Sequence, residues 1–177
     1  MKYFSYGSNM LEEWLKSSRR APGAIFLATG NIQGYRLRFH KRSKDRSGKC
    51  NIVKTGSAED VVYGVVFEVP EDQVGALDKA EGAGRGYHRE RNIPVRFADG
   101  TEMCMLVYVA DSNYINDALI PYAWYRRLVI AGAEQHRLPE HYIADLRAVS
   151  YSEDPNPNRA AKAEKALNAY YGKIARE

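Results

Sequence analysis

The 177-residue chain carries only two cysteines, Cys50 and Cys104, and no CxxC pair. So few thiols exclude a disulfide framework and point to a reducing compartment, read here as the cytoplasm. No apolar run is long enough to cross a bilayer, and no apolar stretch follows the first lysine as a secretory signal would, so no membrane partner is expected. The four histidines lack ligand spacing: His136 and His141 straddle Leu138-Pro139, while His40 and His88 stand apart. Ser8 has neither the surroundings of a nucleophile elbow nor a suggested histidine partner. Glycines 82, 84 and 86 fit neither the dinucleotide fingerprint nor the P-loop, and they leave a helix instead of feeding one. Internal repeats and low-complexity tracts are absent as well.

What is present is the composition of a soluble globular protein, 45% hydrophobic and 27% charged, with enough chain for one real core. The net charge is +4, in part from the run between His40 and Lys49 and in part from a tail bearing Lys and Arg. Such runs read first as solvated loops. Without an RNP-type aromatic motif or a helix-turn-helix pattern, nucleic acid is a disfavoured partner. The 13 tyrosines read as partly buried barrel and pocket residues.

Tyr3, Phe4 and Tyr6 have strand character, and Gly7-Ser8-Asn9 breaks it. Leu11, Trp14 and Leu15 then fall at helical spacing, with Glu12 and Glu13 in the first turn and Ser8 or Asn9 as N-cap. Such a strand, tight turn and helix leave backbone N–H groups free for an anion or a developing oxyanion. Strands are expected at 24–28, 35–39 and 51–53, with the basic loop before the last of these. The strongest strand is 61–69, bounded by Pro70, where Gly64 marks a bulge or a close backbone approach. Pro70 opens a helix running to Glu81-Gly82. A hairpin follows, with strands at 87–97 and 103–110 and its turn at Asp99-Gly100. Cys104 falls mid-strand and reads as core. Helices are expected at 122–134, from Leu138-Pro139 to about 148, and from 158 to about 171. Strands first with helices inserted, and no βαβ alternation, indicate an α+β fold: a small mixed β-barrel with peripheral helices. The division expected is one domain over 1–150, then a linker and C-terminal helical extension over 151–177.

The stretch from Leu77 through Asp78, Lys79, Ala80 and Glu81 to Gly82 poses a chemical question, because a carboxylate at a helix C-terminus is disfavoured by the dipole. An acid in an unfavourable place points mildly to use.

Together, Tyr6-Gly7-Ser8-Asn9-Met10, the Leu77–Gly82 stretch before a glycine-rich segment, Gly86-Tyr87, and Gly132-Ala133-Glu134 with Leu138-Pro139 resemble the γ-glutamylcyclotransferase family. The likeness runs in order from Met1 to about Val149, with Met10 where the family often has Leu. It implies a small β-barrel enzyme without cofactor or metal, converting a small-molecule γ-glutamyl substrate to 5-oxoproline and a released amine. By position it implies Glu81 as the acid/base catalyst and Tyr6, Gly7, Ser8 and Asn9 as the loop holding the γ-glutamyl group. Tyr87, Tyr108 and Tyr125 are implied as pocket-lining tyrosines. The chemistry suits these residues independently. The substrate's α-amine attacks its own γ-carbonyl, so the tether supplies proximity and no covalent nucleophile is needed. A terminal amine titrates near about 8 and an ordinary Glu near about 4.3, so proton transfer between them is uphill by roughly 5 kcal/mol. A desolvated Glu81 is therefore expected. Two other readings stay open: a non-catalytic small-molecule binding member of the same fold, and a basic nucleic-acid-associated protein. The sequence leaves the leaving amine and the oligomeric state open, a homodimer among the options.

Overall fold

A computed structural model describes residues 1–176. β1 (Lys2–Ser5) is followed by a 3-10 turn over Ser8–Met10 and a single helical turn, α1 (Glu12–Leu15). β2 (Ile25–Gln33), β3 (Tyr35–Arg42), β4 (Gly48–Lys54) and β5 (Val61–Glu68) precede α2 (Glu71–Glu81). Then come β6 (Tyr87–Glu90), β7 (Pro94–Arg96), β8 (Glu102–Cys104) and β9 (Val107–Ala110), and last α3 (Ala123–Gln135), α4 (Glu140–Ala148) and α5 (Pro157–Ile174).

The run of β-branched residues in β5 is buried almost throughout, as suits a strand flanked on both edges by β1 and β2. That sheet continues through β7 to β8, while β3–β4 and β6–β9 form two further antiparallel pairs. The pairs are stitched to the main sheet rather than continuous with it. Phe4 N–H donates to Leu106 C=O at 2.9 Å and Leu106 N–H to Lys2 C=O at 3.1 Å, a parallel contact that makes the strand set mixed. β4 lies against β9 and β3 against β5, so the strands curl round one core centred on Phe4, Phe67, Leu77, Val65 and Leu106. The fold is α+β, with the helices outside. No helix among the described residues is long and apolar enough to cross a membrane.

Several local expectations give way to pairing. Residues 87–97 do not make one strand: β6 pairs with β9, while β7 turns to β2 and β8. The return strand is broken in the same way before Val107. Cys104 lies on the edge strand β8 and is exposed, not core. β2 runs through Gly30-Asn31 to Gln33, and the register shift sits at Phe26/Ala28. Gly64 is the close approach: a Cβ there would lie 2.3 Å from Ser5 C=O. The basic run is a hairpin rather than a solvated loop, and a bulge sets Phe39 and His40 against the single residue Cys50. His40 and Lys41, next to that bulge, are buried in succession, where the rest of β3 alternates. The last helix is capped by Asn156, whose side chain accepts from Asn158 N–H at 3.0 Å, and it buries Ala163 and Leu167 beside Leu11 and Leu128.

Candidate active site

Helix α2 delivers its last residue inward. Val74, Leu77, Asp78 and Glu81 stand at i, i+3, i+4 and i+7, one face of the helix, and Val74 and Leu77 are buried in the core. The stripe that seats the helix thus carries Glu81 in with it. Gly82 stops the helix at once, at φ +71°, and its N–H donates to Asp78 C=O. Gly84 and Gly86 also take positive φ, which folds the chain back so that Tyr87 enters β6 beside the glutamate.

The opposite wall is the turn after β1. Neither Ser8 nor Asn9 caps a helix there: Leu11 is the N-cap residue of α1 and makes no side-chain cap. The Asn9 amide instead donates to Glu81 Oε1 at 2.5 Å and reaches Tyr3 Oη at 3.3 Å. Among the described residues, the N–H groups of Gly7, Ser8 and Asn9 donate to no protein acceptor, whereas Met10 and Leu11 N–H close the turn onto Gly7 and Ser8 carbonyls. Two polar oxygens, Asn9 Oδ1 and Ser5 Oγ, are buried there without a partner. Helix α3 fixes the height of this turn, because Gly132 presses directly on it. A Cβ on Gly132 would lie 2.5 Å from Leu11 N and 2.6 Å from Met10 Cβ.

Glu81, Tyr6, Gly7, Ser8, Asn9, Tyr87, Tyr108 and Tyr125 line one narrow pocket, joined by Tyr3, Ser5 and Cys50. The tyrosines differ in what their hydroxyls have left to give. Tyr6 donates to Tyr108 C=O, Tyr87 to Cys50 C=O at 2.5 Å, and Tyr108 to Asp78 at 2.8 Å. Tyr125 Oη accepts from Cys50 N–H at 3.1 Å, so its own proton remains available to a ligand. Burial pushes the phenols of Tyr6, Tyr87 and Tyr125 well above their ordinary range, so they act as donors and not as bases.

Glu81 itself is half-buried, and its pKa is raised. Desolvation is the main cause, opposed by the charge of Arg20, the Asn9 hydrogen bond and the charge of Lys41. Cys50 is no rival nucleophile: burial pushes its thiol up to about 12, so it stays protonated. Residue patterns alone missed Arg20, Lys41, Cys50, Tyr3 and Ser5. The guanidinium of Arg20 lies over the Trp14 ring at 4.2 Å, and its Nε is buried without a partner. Lys49 is held by Asp45 at 2.9 Å over the rings of Trp124 and Tyr125.

The pocket has a carboxylate of raised pKa, a turn of free N–H donors opposite it, a spare phenolic donor and no ionised nucleophile. It can move a proton and hold an oxyanion for a substrate that brings its own nucleophile.

The profile of the AIG2-like family matches residues 61–146. A gamma-glutamylcyclotransferase of Mus musculus is 30% identical over 156 residues, covering 85% of this chain and 79% of that protein. The gamma-glutamylcyclotransferase of Homo sapiens is 29% identical over 152 residues, covering 83% and 77%. A solved gamma-glutamyl cyclotransferase structure superposes with a TM-score of 0.78 at 26% identity, across 88% of this chain and 91% of that one.

Proposed function

Because this chain belongs to the γ-glutamylcyclotransferase family, we propose that the pocket takes the γ-glutamyl end of a small substrate and releases it as 5-oxoproline. The observation that carries this reading is Glu81: a carboxylate of raised pKa, held by Asn9 at 2.5 Å against the turn of free N–H groups.

The substrate enters with its α-ammonium beside Glu81, and Asn9 Oδ1, buried without a partner, is placed to accept from the same group. Glu81 takes a proton from the ammonium, the freed amine attacks the γ-carbonyl, and a C–N bond closes the lactam. Negative charge on the former carbonyl oxygen is met by N–H groups of the Gly7–Asn9 turn and by the Tyr125 hydroxyl. Glu81 then returns that proton to the departing nitrogen as the original amide bond breaks, takes the second proton that the ring nitrogen sheds to become a neutral lactam, and passes it to the released amine, which leaves as an ammonium. No water is consumed, and the proton count closes on Glu81. A raised pKa brings the carboxylate closer to the amine it must deprotonate, which lowers the uphill step. The free state of both cysteines supports placing the enzyme in the reducing cytoplasm.

Release of 5-oxoproline from γ-glutamyl dipeptides and γ-glutamyl amines tests the reading. Turnover of at least one member is expected; a folded protein inert toward the whole panel would overturn it. The pH profile carries a sharper expectation. kcat/KM should fall below the raised pKa of Glu81, where the base is protonated, and again above about 8, where the substrate ammonium is lost. Arg20 holds Glu81 down by its charge. Arg20→Met should therefore move the acid limb to higher pH, with the alkaline limb unmoved. An acid limb that stays in place would detach Arg20 from the site.

A further inference from the structure

Lys41 is 8% exposed, yet it has no carboxylate within ion-pair distance and no hydrogen-bond acceptor among the described residues. Glu81, Asp45 and Asp111 act on it only at longer range. The stem is buried while the unpaired ammonium at its tip keeps contact with solvent, so it is free to take a counter-charge from outside the chain. Its position is specific. It follows the bulge in β3, opposite Lys49, and Nζ lies 4.5 Å from the centre of the Tyr87 ring. The Tyr87 hydroxyl donates to Cys50 C=O, and both residues line the pocket. Gly86 makes room for this arrangement: a Cβ there would lie 2.9 Å from Lys41 Cε, 3.0 Å from its Nζ and 3.4 Å from the Tyr114 ring.

The ammonium therefore stands one ring beyond the pocket that holds Glu81 and is not among the residues lining it. A narrow pocket that takes the glutamyl end leaves the rest of the substrate outside. We infer that Lys41 receives a carboxylate on the leaving part of the substrate, so that it sets the preference for γ-glutamyl amino acids over γ-glutamyl amines. This rests on the cyclisation reading. Lys41 acts here on specificity; it touches neither the attacking amine nor the γ-carbonyl. A lysine suits the task as a compact charge able to meet a carboxylate from several directions, where the planar fork of an arginine would need the space Gly86 leaves open.

The test compares two compounds that differ only in that charge, γ-glutamyl-alanine and γ-glutamyl-alaninamide. For wild type, kcat/KM should favour the acid by about tenfold or more, chiefly through KM, as expected for a charge-assisted hydrogen bond. Lys41→Met should bring the ratio close to one, and Lys41→Arg should restore part of it. Any effect of Lys41 through Glu81 touches both compounds alike and cancels in the ratio. An unchanged ratio in folded Lys41→Met would overturn the assignment while leaving cyclisation intact. Absence of turnover of both compounds by wild type would instead sink the cyclisation reading. The same ratio, taken from binding constants by calorimetry, then decides Lys41 separately: dependence on Lys41 upholds it, and independence overturns it.

Discussion

Replacing Glu81 with Gln is expected to lower kcat by about 10² to 10⁴, the span of general acid–base catalysis by one positioned group. KM should change little, because Gln keeps the volume and a carbonyl that can still accept from Asn9. The same substitution should not weaken the fold, and the sign follows from the raised pKa. Between the ordinary carboxylate pKa and the raised folded value, the native protein binds more protons than the unfolded chain. The stability contributed by protonated Glu81 is thus present at low pH and lost as pH rises through the folded pKa. Glu81→Gln has no such loss, so near neutrality it should be at least as stable as wild type, and the difference should shrink toward pH 4. Acids such as Asp45 and Asp78, whose pKa values are lowered, titrate in both proteins and cancel in the comparison. Urea midpoints at several pH values measure this. A variant clearly less stable at pH 7 would contradict a desolvated, ionised Glu81. Catalysis here is drawn from a group that the fold would rather not hold charged.

The second large effect is expected far from the carboxylate, at Gly132. Helix α3 approaches the turn so closely that an added Cβ would meet backbone at 2.5 Å, and backbone cannot move aside as a side-chain tip can. Gly132→Ala should cost about 1–3 kcal/mol or more of stability by overpacking. It should also lower kcat, because the displaced segment begins at Met10 and Leu11, whose N–H groups close the turn onto Gly7 and Ser8. Positioning errors of about 1 Å can cost on the order of 10²-fold in rate. Thermal unfolding and steady-state kinetics on one preparation separate the two. A variant as stable as wild type and fully active would show that α3 does not set the turn.

These two residues also show what sequence makes legible. Glu81 stands out because Val74, Leu77 and Asp78 place it on a buried helical face and because an acid suits neither that face nor a helix C-terminus. The Gly7-Ser8-Asn9 break is visible in the same local way. The role of the Asn9 side chain was not: a capping residue by local rules, it reaches instead to a glutamate 72 positions away. Lys41 was hidden more deeply. Within the run from His40 to Lys49 it reads as one solvated charge among many, and its burial beside Tyr87 depends on a strand far along the chain. The interruption of 87–97 has a similar origin, since its halves take different partners in space. Cys104 misled because strand position was legible while the edge of the sheet was not. Local periodicity finds elements and faces; partners separated along the chain decide which polar side chains reach the pocket.

The most direct test of the central claim is the identity of the product formed from a γ-glutamyl dipeptide in H2(18)O, followed by mass spectrometry for wild type beside Glu81→Gln. Intramolecular aminolysis with Glu81 as proton carrier predicts 5-oxoproline without the heavy isotope from wild type, and almost none from the variant. Heavy-labelled glutamate would mean that water, not the substrate's own amine, attacks the carbonyl, and unlabelled 5-oxoproline formed at equal rates by both proteins would remove Glu81 from the reaction.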